Sequence, residues 1–330
     1  EEVPDLNPAA NEIVVESKAA GVNYADCLVR WGVYESAKKY VGWPITPGFE
    51  FAGTVSKVGS QVTRFQVGQS VFGVTRFNAY ASQVCIPENQ AFHLPRNLSF
   101  TQAAGFPAIY ITAFHAIHQI VRIFPGSIAL VHSAAGGVGT ALLQIGKKAG
   151  IKTIAVVGRS NKVETAKQFG ADYVIDKSTQ DLWAEVDRIA PHGLDVVFDA
   201  NGPETLKDGY KRLAPMGKLL TYGSHTMLPK SESNSKGKMN WLKVAKDYLK
   251  LPKFHPFELT TLNRSVIGFN ISFLFEKPFL LDEAMGKMIP WIENGEISPP
   301  KITTFPFEKA AQAHQEIESG TTTGKLVLEL

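Results

Sequence analysis

Two rhythms of apolar and polar positions divide the chain. From Glu12 to Pro95 the runs EIVVESKAAGVN, GFEFAGTVSKVG, SVFGVT and AYASQVCIPENQAFHLP are short and punctuated by Gly, Pro and Asn. Strands at this spacing, separated by turn residues, predict a compact and mostly antiparallel β domain. At FTQAAGFPAIYITAFHAIHQI the texture becomes helical. From Gly126 a strand-helix alternation begins: SIALVHSA, then AGGVGTALLQIGKKAG, KTIAVVG, NKVETAKQFGA, YVID, LWAEVDRIAP, LDVVFDANG, ETLKDGYKRLAP, GKLLTYGS and finally SVIGFN. Its strands are near-continuous apolar runs, as strands buried on both faces of a parallel sheet must be. The predicted fold class is therefore α/β, a doubly wound parallel sheet joined to the β domain.

After Asn270 two helical stretches, LDEAMGKMIPWIENG and FEKAAQAHQEIESG, precede one last strand, GKLVLEL, which is expected to return to the β domain and complete it. The stretch from His225 to Asn263 fits neither rhythm. It opens with the polar run LPKSESNSKGK and turns basic and amphipathic in MNWLKVAKDYLKLPKF. Its apolar positions Trp241, Leu242, Ala245, Tyr248 and Leu249 lie near helical spacing, which predicts a helix whose apolar face is buried as a lid. The alternative is that this face meets an anionic bilayer, with Lys236, Lys238, Lys243, Lys246, Lys250 and Lys253 beside it.

Composition narrows the function classes. The chain has 330 residues, a net charge of +3 and 20% charged residues, and no dense basic patch points to nucleic acid. Its two cysteines, Cys27 and Cys85, are too few for a disulfide framework or a four-thiolate zinc site. A reducing, cytoplasmic setting is the expectation. No apolar run reaches the ~18 residues of a spanning helix. The first strand has no earlier partner in the chain, so further residues are expected before Glu1.

HSAAGGVG, His132 to Gly139, follows a buried strand and opens a helix, where free N–H groups and the helix dipole attract a pyrophosphate. Gly136 lets the backbone approach the phosphates and Gly139 lets the helix pack on the strand. Ala134 replaces the usual first glycine. The ribose of NAD is held by an acidic residue about 20 positions on. That place offers Gly158, Arg159, Ser160, Asn161 and Lys162. With no carboxylate there, and with cations and a hydroxyl that suit a 2′-phosphate, the expected cofactor is NADPH.

AAGVNYAD, PGFEFAG, SAAGGVG and the closing GKLVL resemble the medium-chain dehydrogenase/reductase superfamily over nearly the whole chain. Its zinc members carry a catalytic Cys in the first motif and a His in the second. Here those positions are Asn23 and Phe49, and Phe77 to Pro87 holds only Cys85 in place of a structural zinc lobe. Phenylalanine offers zinc no ligand. The resemblance therefore runs to the zinc-free quinone oxidoreductase branch, and no metal is expected. Within it, NRSVIGFNISFL, ANGPET and the 225–263 segment are similar to vesicle amine transport protein homologues.

The resemblance implies a GroES-like catalytic domain of residues 1–112 and 271–330. It implies a Rossmann domain of residues 113–270 with a 225–263 insertion, and an active site in the cleft between the two. It implies hydride transfer from NADPH to a quinone or α,β-unsaturated carbonyl, an acceptor that needs no Lewis acid. The catalytic residues it implies are Asn23, Asp26, Tyr34 and Tyr110. Asp26 carries the alternative of a structural anchor, and the two tyrosines that of packed aromatics. The cofactor residues it implies are Asn23, Thr112, Ala135, Gly136, Gly137, Val138, Gly158, Arg159, Ser160, Lys162, Asn201, Gly223, Phe269 and Lys325. Lys325 carries the alternative of a surface charge. A homodimer through the edge SVIGFNISFLF is expected. The competing function is an NADPH-binding peripheral membrane or lipid-interacting protein with weak reductase activity.

Overall fold

The computed structural model describes residues 5–227 and 241–330. The chain divides into two compact units, Glu1–Thr112 with Ile271–Leu330, and Ala113–Asn270. In chain order the first unit holds β1 (Glu12–Val22), β2 (Glu50–Val58), β3 (Ser70–Val74), β4 (Gln83–Pro87) and β5 (Ala91–His93). The second holds β6 (Ile128–Val131), β7 (Lys152–Val157), β8 (Tyr173–Asp176), β9 (Leu194–Asp199), β10 (Leu213–Thr221) and β11 (Ser265–Gly268). The chain then returns to the first unit for β12 (Ile302–Pro306) and β13 (Lys325–Glu329).

The first unit's sheet runs β12-β13-β1-β2-β3-β5, with β4 paired to β1. Every pair in it is antiparallel except β12–β13. The strand ITTFP at β12 is absent from the pattern reading, because half-buried Ile302 and Phe305 alternate irregularly with exposed threonines. Its pairing with β13 brings one parallel pair into an otherwise antiparallel sheet. Ile13, Val15, Phe51, Val55, Val71 and Ile86 form the core beneath this sheet. The return of GKLVL to pair with β1 agrees with the pattern reading, in the register Val22↔Leu326.

The second unit's sheet is parallel throughout, in the order β11-β10-β9-β6-β7-β8. Counted from its own first strand this is 3-2-1-4-5-6, the doubly wound order, and its direction reverses between β6 and β9. The apolar run IALV is buried because neighbours cover it on both sides. β11 occupies an edge of the sheet.

The basic segment forms the helix Trp241–Leu249. The expectation that its apolar face is buried fails at the residues described. Leu242 is 85% exposed, Leu249 84% and Tyr248 67%, while the buried position is Asp247. The polar run 228–238, with Lys236 and Lys238, lies outside the described residues, as do the side chains of Trp241 and Lys243. Among the described residues no helix is long and apolar enough to cross a membrane.

Candidate active site

Three neighbouring strands of the first unit's sheet have their termini side by side at one end of the sheet. β1 ends at Val22, just before Asn23. β2 begins at Glu50 and β13 at Lys325. Antiparallel pairing of β13 with β1 and of β1 with β2 brings these positions side by side, although 302 residues separate Asn23 from Lys325. Lys325 Nζ lies 2.6 Å from Glu50 Oε1, and both side chains are buried. Glu50 also accepts from the Ala108 backbone N–H at 2.7 Å. Gly21 makes room for this carboxylate: a Cβ there would sit 2.4 Å from Glu50 Oε1.

Asn23 is clamped by that pair. Its Nδ2 donates to Glu50 Oε1 at 2.8 Å and its Oδ1 accepts from Lys325 Nζ at 2.5 Å. Lysine only donates and an ionised glutamate only accepts, so one orientation of the amide satisfies both. The second N–H of Nδ2 is left over from these two bonds on a half-buried side chain. Lys325 is thus a buried clamp and not a surface charge.

Asp26 anchors the loops on either side. It is wholly buried and accepts from the Asn23 N–H at 2.7 Å, the Gly48 N–H at 2.9 Å and the Tyr80 hydroxyl at 3.0 Å. Tyr80 Oη also lies 3.3 Å from His314 Nε2. Burial pushes the Asp26 carboxyl up to about 7, against the pull of these donors and of the Lys325 charge. Burial and then the Arg30 charge lower His314 to about 4. These contacts tie Asp26 to the loops at Asn23 and Gly48 and to Tyr80, the arrangement that its reading as a structural anchor describes.

Phe49, at the second ligand position, is buried in an aromatic cluster. Its ring centre is 5.6 Å from that of Tyr34 and 5.4 Å from that of Phe77. Tyr34 is half-buried in this cluster, edge-on to both phenylalanines. Tyr110 is wholly buried, stacked on Phe106, with its hydroxyl donating to the Ser298 carbonyl at 2.6 Å. This is the packed-aromatic arrangement that stood as the alternative for Tyr110. The Thr112 hydroxyl is also spent within its helix, on the Ala108 carbonyl at 2.7 Å.

The second unit carries the glycine turn. Gly136 caps the helix Gly137–Lys148, with Ala135 buried before it and Val138 half-buried inside it. A Cβ on Gly139 would stand 2.4 Å from the Ser133 carbonyl oxygen, so the close turn demands glycine. Ser133 Oγ reaches Asn201 Oδ1 at 3.1 Å, spanning the loops after β6 and β9 where the strand order reverses. His132, at the root of the turn, is wholly buried, and neither ring nitrogen has a hydrogen-bond partner among the described residues. Burial and then the Lys177 and His225 charges push it down to about 3. Gly223 lies against Ala200, where a Cβ would be 3.1 Å from the carbonyl oxygen. Phe269 follows β11 with its ring 5.7 Å from Tyr222 and 5.5 Å from His115.

After β7 come Gly158, Arg159 and Ser160, all exposed, and half-buried Lys162. Burial and then the Arg159 charge hold Lys162 below its ordinary value. The stretch 158–162 itself holds no carboxylate, but the end of β8 brings one beside it. Ser160 Oγ donates to Asp176 Oδ2 at 2.5 Å. The next residue, Lys177, passes close to Gly158, where a Cβ would lie 3.6 Å from its Cε.

The geometry thus gathers Asn23, Asp26 and Lys325 into one network, and Tyr34 into the aromatic cluster beside Phe49. It gathers residues 133–139 with Asn201, and Arg159, Ser160 and Lys162 with one another. Glu50, Tyr80, His314, Asp176 and Lys177 went unassigned by the sequence reading. A charged residue between two phenylalanines at the mouth of a strand was the signal for Glu50. An acid ending the next parallel strand was the signal for Asp176.

Family models for known proteins match both units. The alcohol dehydrogenase GroES-like domain matches residues 9–123, and the zinc-binding dehydrogenase model matches residues 169–328. The synaptic vesicle membrane protein VAT-1 homolog of Homo sapiens is 31% identical over 97% of this chain and 79% of its own length. The chain belongs to the medium-chain dehydrogenase/reductase superfamily. Within this superfamily it is quinone oxidoreductase-like and close to the VAT-1 homologues. The Danio rerio VAT-1 homolog is 33% identical over 97% of the chain, which spans 64% of that relative's length. The Escherichia coli quinone oxidoreductase structure, solved in complex with NADPH, aligns with a TM-score of 0.84 at 28% identity, over 100% of this chain and 95% of that one. A nicotinamide-dependent oxidoreductase is the general function these superfamily relationships support.

Proposed function

We propose that the protein is a zinc-independent reductase that uses NADPH to reduce quinones or α,β-unsaturated carbonyls. One observation carries this reading: both zinc-ligand positions of the superfamily are filled by side chains with other work. Phe49 belongs to an apolar aromatic cluster, and the Asn23 amide is held between Glu50 and Lys325. Quinones and enones are electrophilic without a Lewis acid, so positioned hydrogen bonds suffice.

The residues present fit the dinucleotide. Gly136 opens the helix Gly137–Lys148, Gly139 admits no Cβ against the backbone of Ser133 and Ala134, and the charged donors after β7, Arg159 and Lys162, are cations. Residues 135–138 would hold the pyrophosphate, Arg159 and Lys162 the adenosine phosphate side, Ser160 the adenosine ribose, and Asn201, Gly223 and Phe269 the remainder. When bound, NADPH supplies the hydride. The chain's own task is to orient and polarise. The remaining Nδ2–H of Asn23 would donate to an oxygen of the nicotinamide amide or the acceptor, and Tyr34, edge-on to Phe49 and Phe77, is the second candidate for orienting the acceptor. Thr112 contributes through its helix and Lys325 through Asn23. Pairing of two copies along the β11 edge would form the homodimer.

NADPH oxidation measured against a panel of quinones, alkenals and enones tests the reading, together with elemental analysis. Turnover of at least one class, unchanged by a chelator and without stoichiometric zinc, is expected. Stoichiometric zinc whose removal abolishes turnover would overturn it.

The helix Trp241–Leu249 favours a second reading, a lipid-interacting protein with weak reductase activity. Its exposed Leu242 and Leu249 stand beside exposed Lys246 and Lys250. Strong co-sedimentation with anionic vesicles together with no turnover on the panel would favour it.

A further inference from the structure

The loop after β7 and the end of β8 hold groups of opposite demand. β7 and β8 run parallel in the register Val157↔Asp176, and Lys177 N–H donates to the Val157 carbonyl at 3.0 Å. This register sets Asp176 beside the start of the Gly158–Lys162 loop. Asp176 is buried, and its Oδ1 accepts from the Ser178 N–H at 2.9 Å and the Ser178 hydroxyl at 2.6 Å. Its Oδ2 accepts from the Ser160 hydroxyl at 2.5 Å. These bonds keep the carboxyl below its ordinary range and therefore ionised.

A serine hydroxyl has one proton to give. That of Ser160 is committed to Asp176, so Ser160 turns lone pairs toward a ligand. A phosphate near neutral pH is almost wholly an acceptor and gains nothing from them. A ribose 2′-hydroxyl, which can donate, is matched to Ser160 and to the Asp176 carboxylate behind it. Arg159, Lys162 and Lys177 only donate and are matched to phosphate instead.

We propose that Asp176, acting through Ser160, sets the choice between the two nicotinamide dinucleotides, offsetting the cations so that the protein takes both NADPH and NADH. The carboxylate that ordinarily ends the second strand is supplied by the third strand. This inference rests on the cofactor-binding reading above and revises its selectivity. Arg159 and Lys162 alone would favour NADPH strongly. With Asp176 beside them the preference falls to a few-fold.

The test measures dissociation constants by fluorescence and calorimetry on the full chain, so it is independent of turnover. The ligands are NADPH, NADH, adenosine 2′,5′-bisphosphate and adenosine 5′-monophosphate. In the native protein NADPH and NADH should bind within about fivefold of one another, less than one charged hydrogen bond is worth. Asp176→Ala should move the ratio toward the 2′-phosphate ligands by about tenfold or more, the scale of one charge-assisted contact. Asp176→Asn, isosteric and neutral, should move it the same way by less, which keeps the test open if the alanine variant fails to fold. Ser160→Ala should leave the affinity for adenosine 2′,5′-bisphosphate within about twofold, because its proton is already spent. An unchanged ratio in both Asp176 variants, with both dinucleotides still binding, overturns this inference alone. So does a tenfold loss of adenosine 2′,5′-bisphosphate affinity in Ser160→Ala. If neither dinucleotide binds the native protein, the cofactor reading falls and takes this inference with it.

Discussion

The strand-end cluster of the first unit and the loop after β7 in the second are both built from charged groups, but they are finished differently. At Asn23, Glu50 and Lys325 each charge is buried and answered by another side chain of the same cluster. At Arg159, Lys162 and Lys177 the cations stand at or near the surface, and the one carboxylate among them is taken by serines. The first arrangement is closed on itself with its charges buried, and the second lies at or near the surface. The two positions read as replaced zinc ligands are both packed: the Asn23 amide is held by two groups that accept and donate in complementary fashion, and Phe49 packs in an aromatic cluster.

The largest effect that would break this comparison lies in the closed cluster. Lys325→Met leaves Glu50 as an unpaired buried charge and should cost about 3–5 kcal/mol of stability in denaturant unfolding. Adding Glu50→Gln should recover most of that loss, because no buried charge then remains and the amide oxygen of the new side chain can still accept from Asn23 and the Ala108 N–H. A loss below about 1 kcal/mol in the single variant would mean the cluster is open to water, like a surface ion pair.

A smaller effect sharpens the comparison through pH. Asp26 has its carboxyl raised to about 7, so the folded state holds its proton longer than the unfolded chain does. Its contribution to stability is greatest below the ordinary carboxyl value and falls as pH rises from about 4 to about 7. His132 in the second unit has the opposite sense. Lowered to about 3, it stays neutral in the fold while the unfolded chain takes up a proton. Its contribution is fully present above about 6.5 and is lost as pH falls toward 3. Unfolding measured from pH 4 to 8 should show Asp26→Asn removing the first slope and His132→Asn removing the second. Slopes unchanged by either variant would refute the assignment.

The smallest effect is expected on the helix Trp241–Leu249. Leu242→Ser with Leu249→Ser removes apolar groups already facing solvent, so stability should change by less than about 0.5 kcal/mol. The same variant should leave quinone kinetics unchanged, because neither side chain is packed. A clear loss of stability would show that the exposed face is covered in solution.

Much of the fold was legible because it depends on short-range patterns. The apolar runs of β6, β7 and β9 predicted a parallel sheet. The glycines at 136 and 139 marked the turn, whose geometry admits nothing larger at Gly139. Phe49 and Asn23 could be read as replacements of metal ligands because residue identity alone decides that chemistry. β12 could not be read: its side chains are only half-covered, and its pairing with β13 depends on a partner more than twenty residues away.

What the sequence determined by itself is the set of available groups: which positions can bury, which can donate and which can never bind zinc. What only the tertiary structure decided is how those groups share their protons. Lys325 reads as a surface charge until β13 pairs with β1 and carries it to Glu50. Tyr110 reads equally as a site residue and as a packed aromatic until the fold stacks it on Phe106 and brings its hydroxyl to the Ser298 carbonyl. Ser160 reads as an exposed hydroxyl until the β7–β8 register brings Asp176 to accept its hydrogen bond. A hydrogen bond has a direction and a short reach, so its partner is fixed by register and strand order, which residue type does not encode.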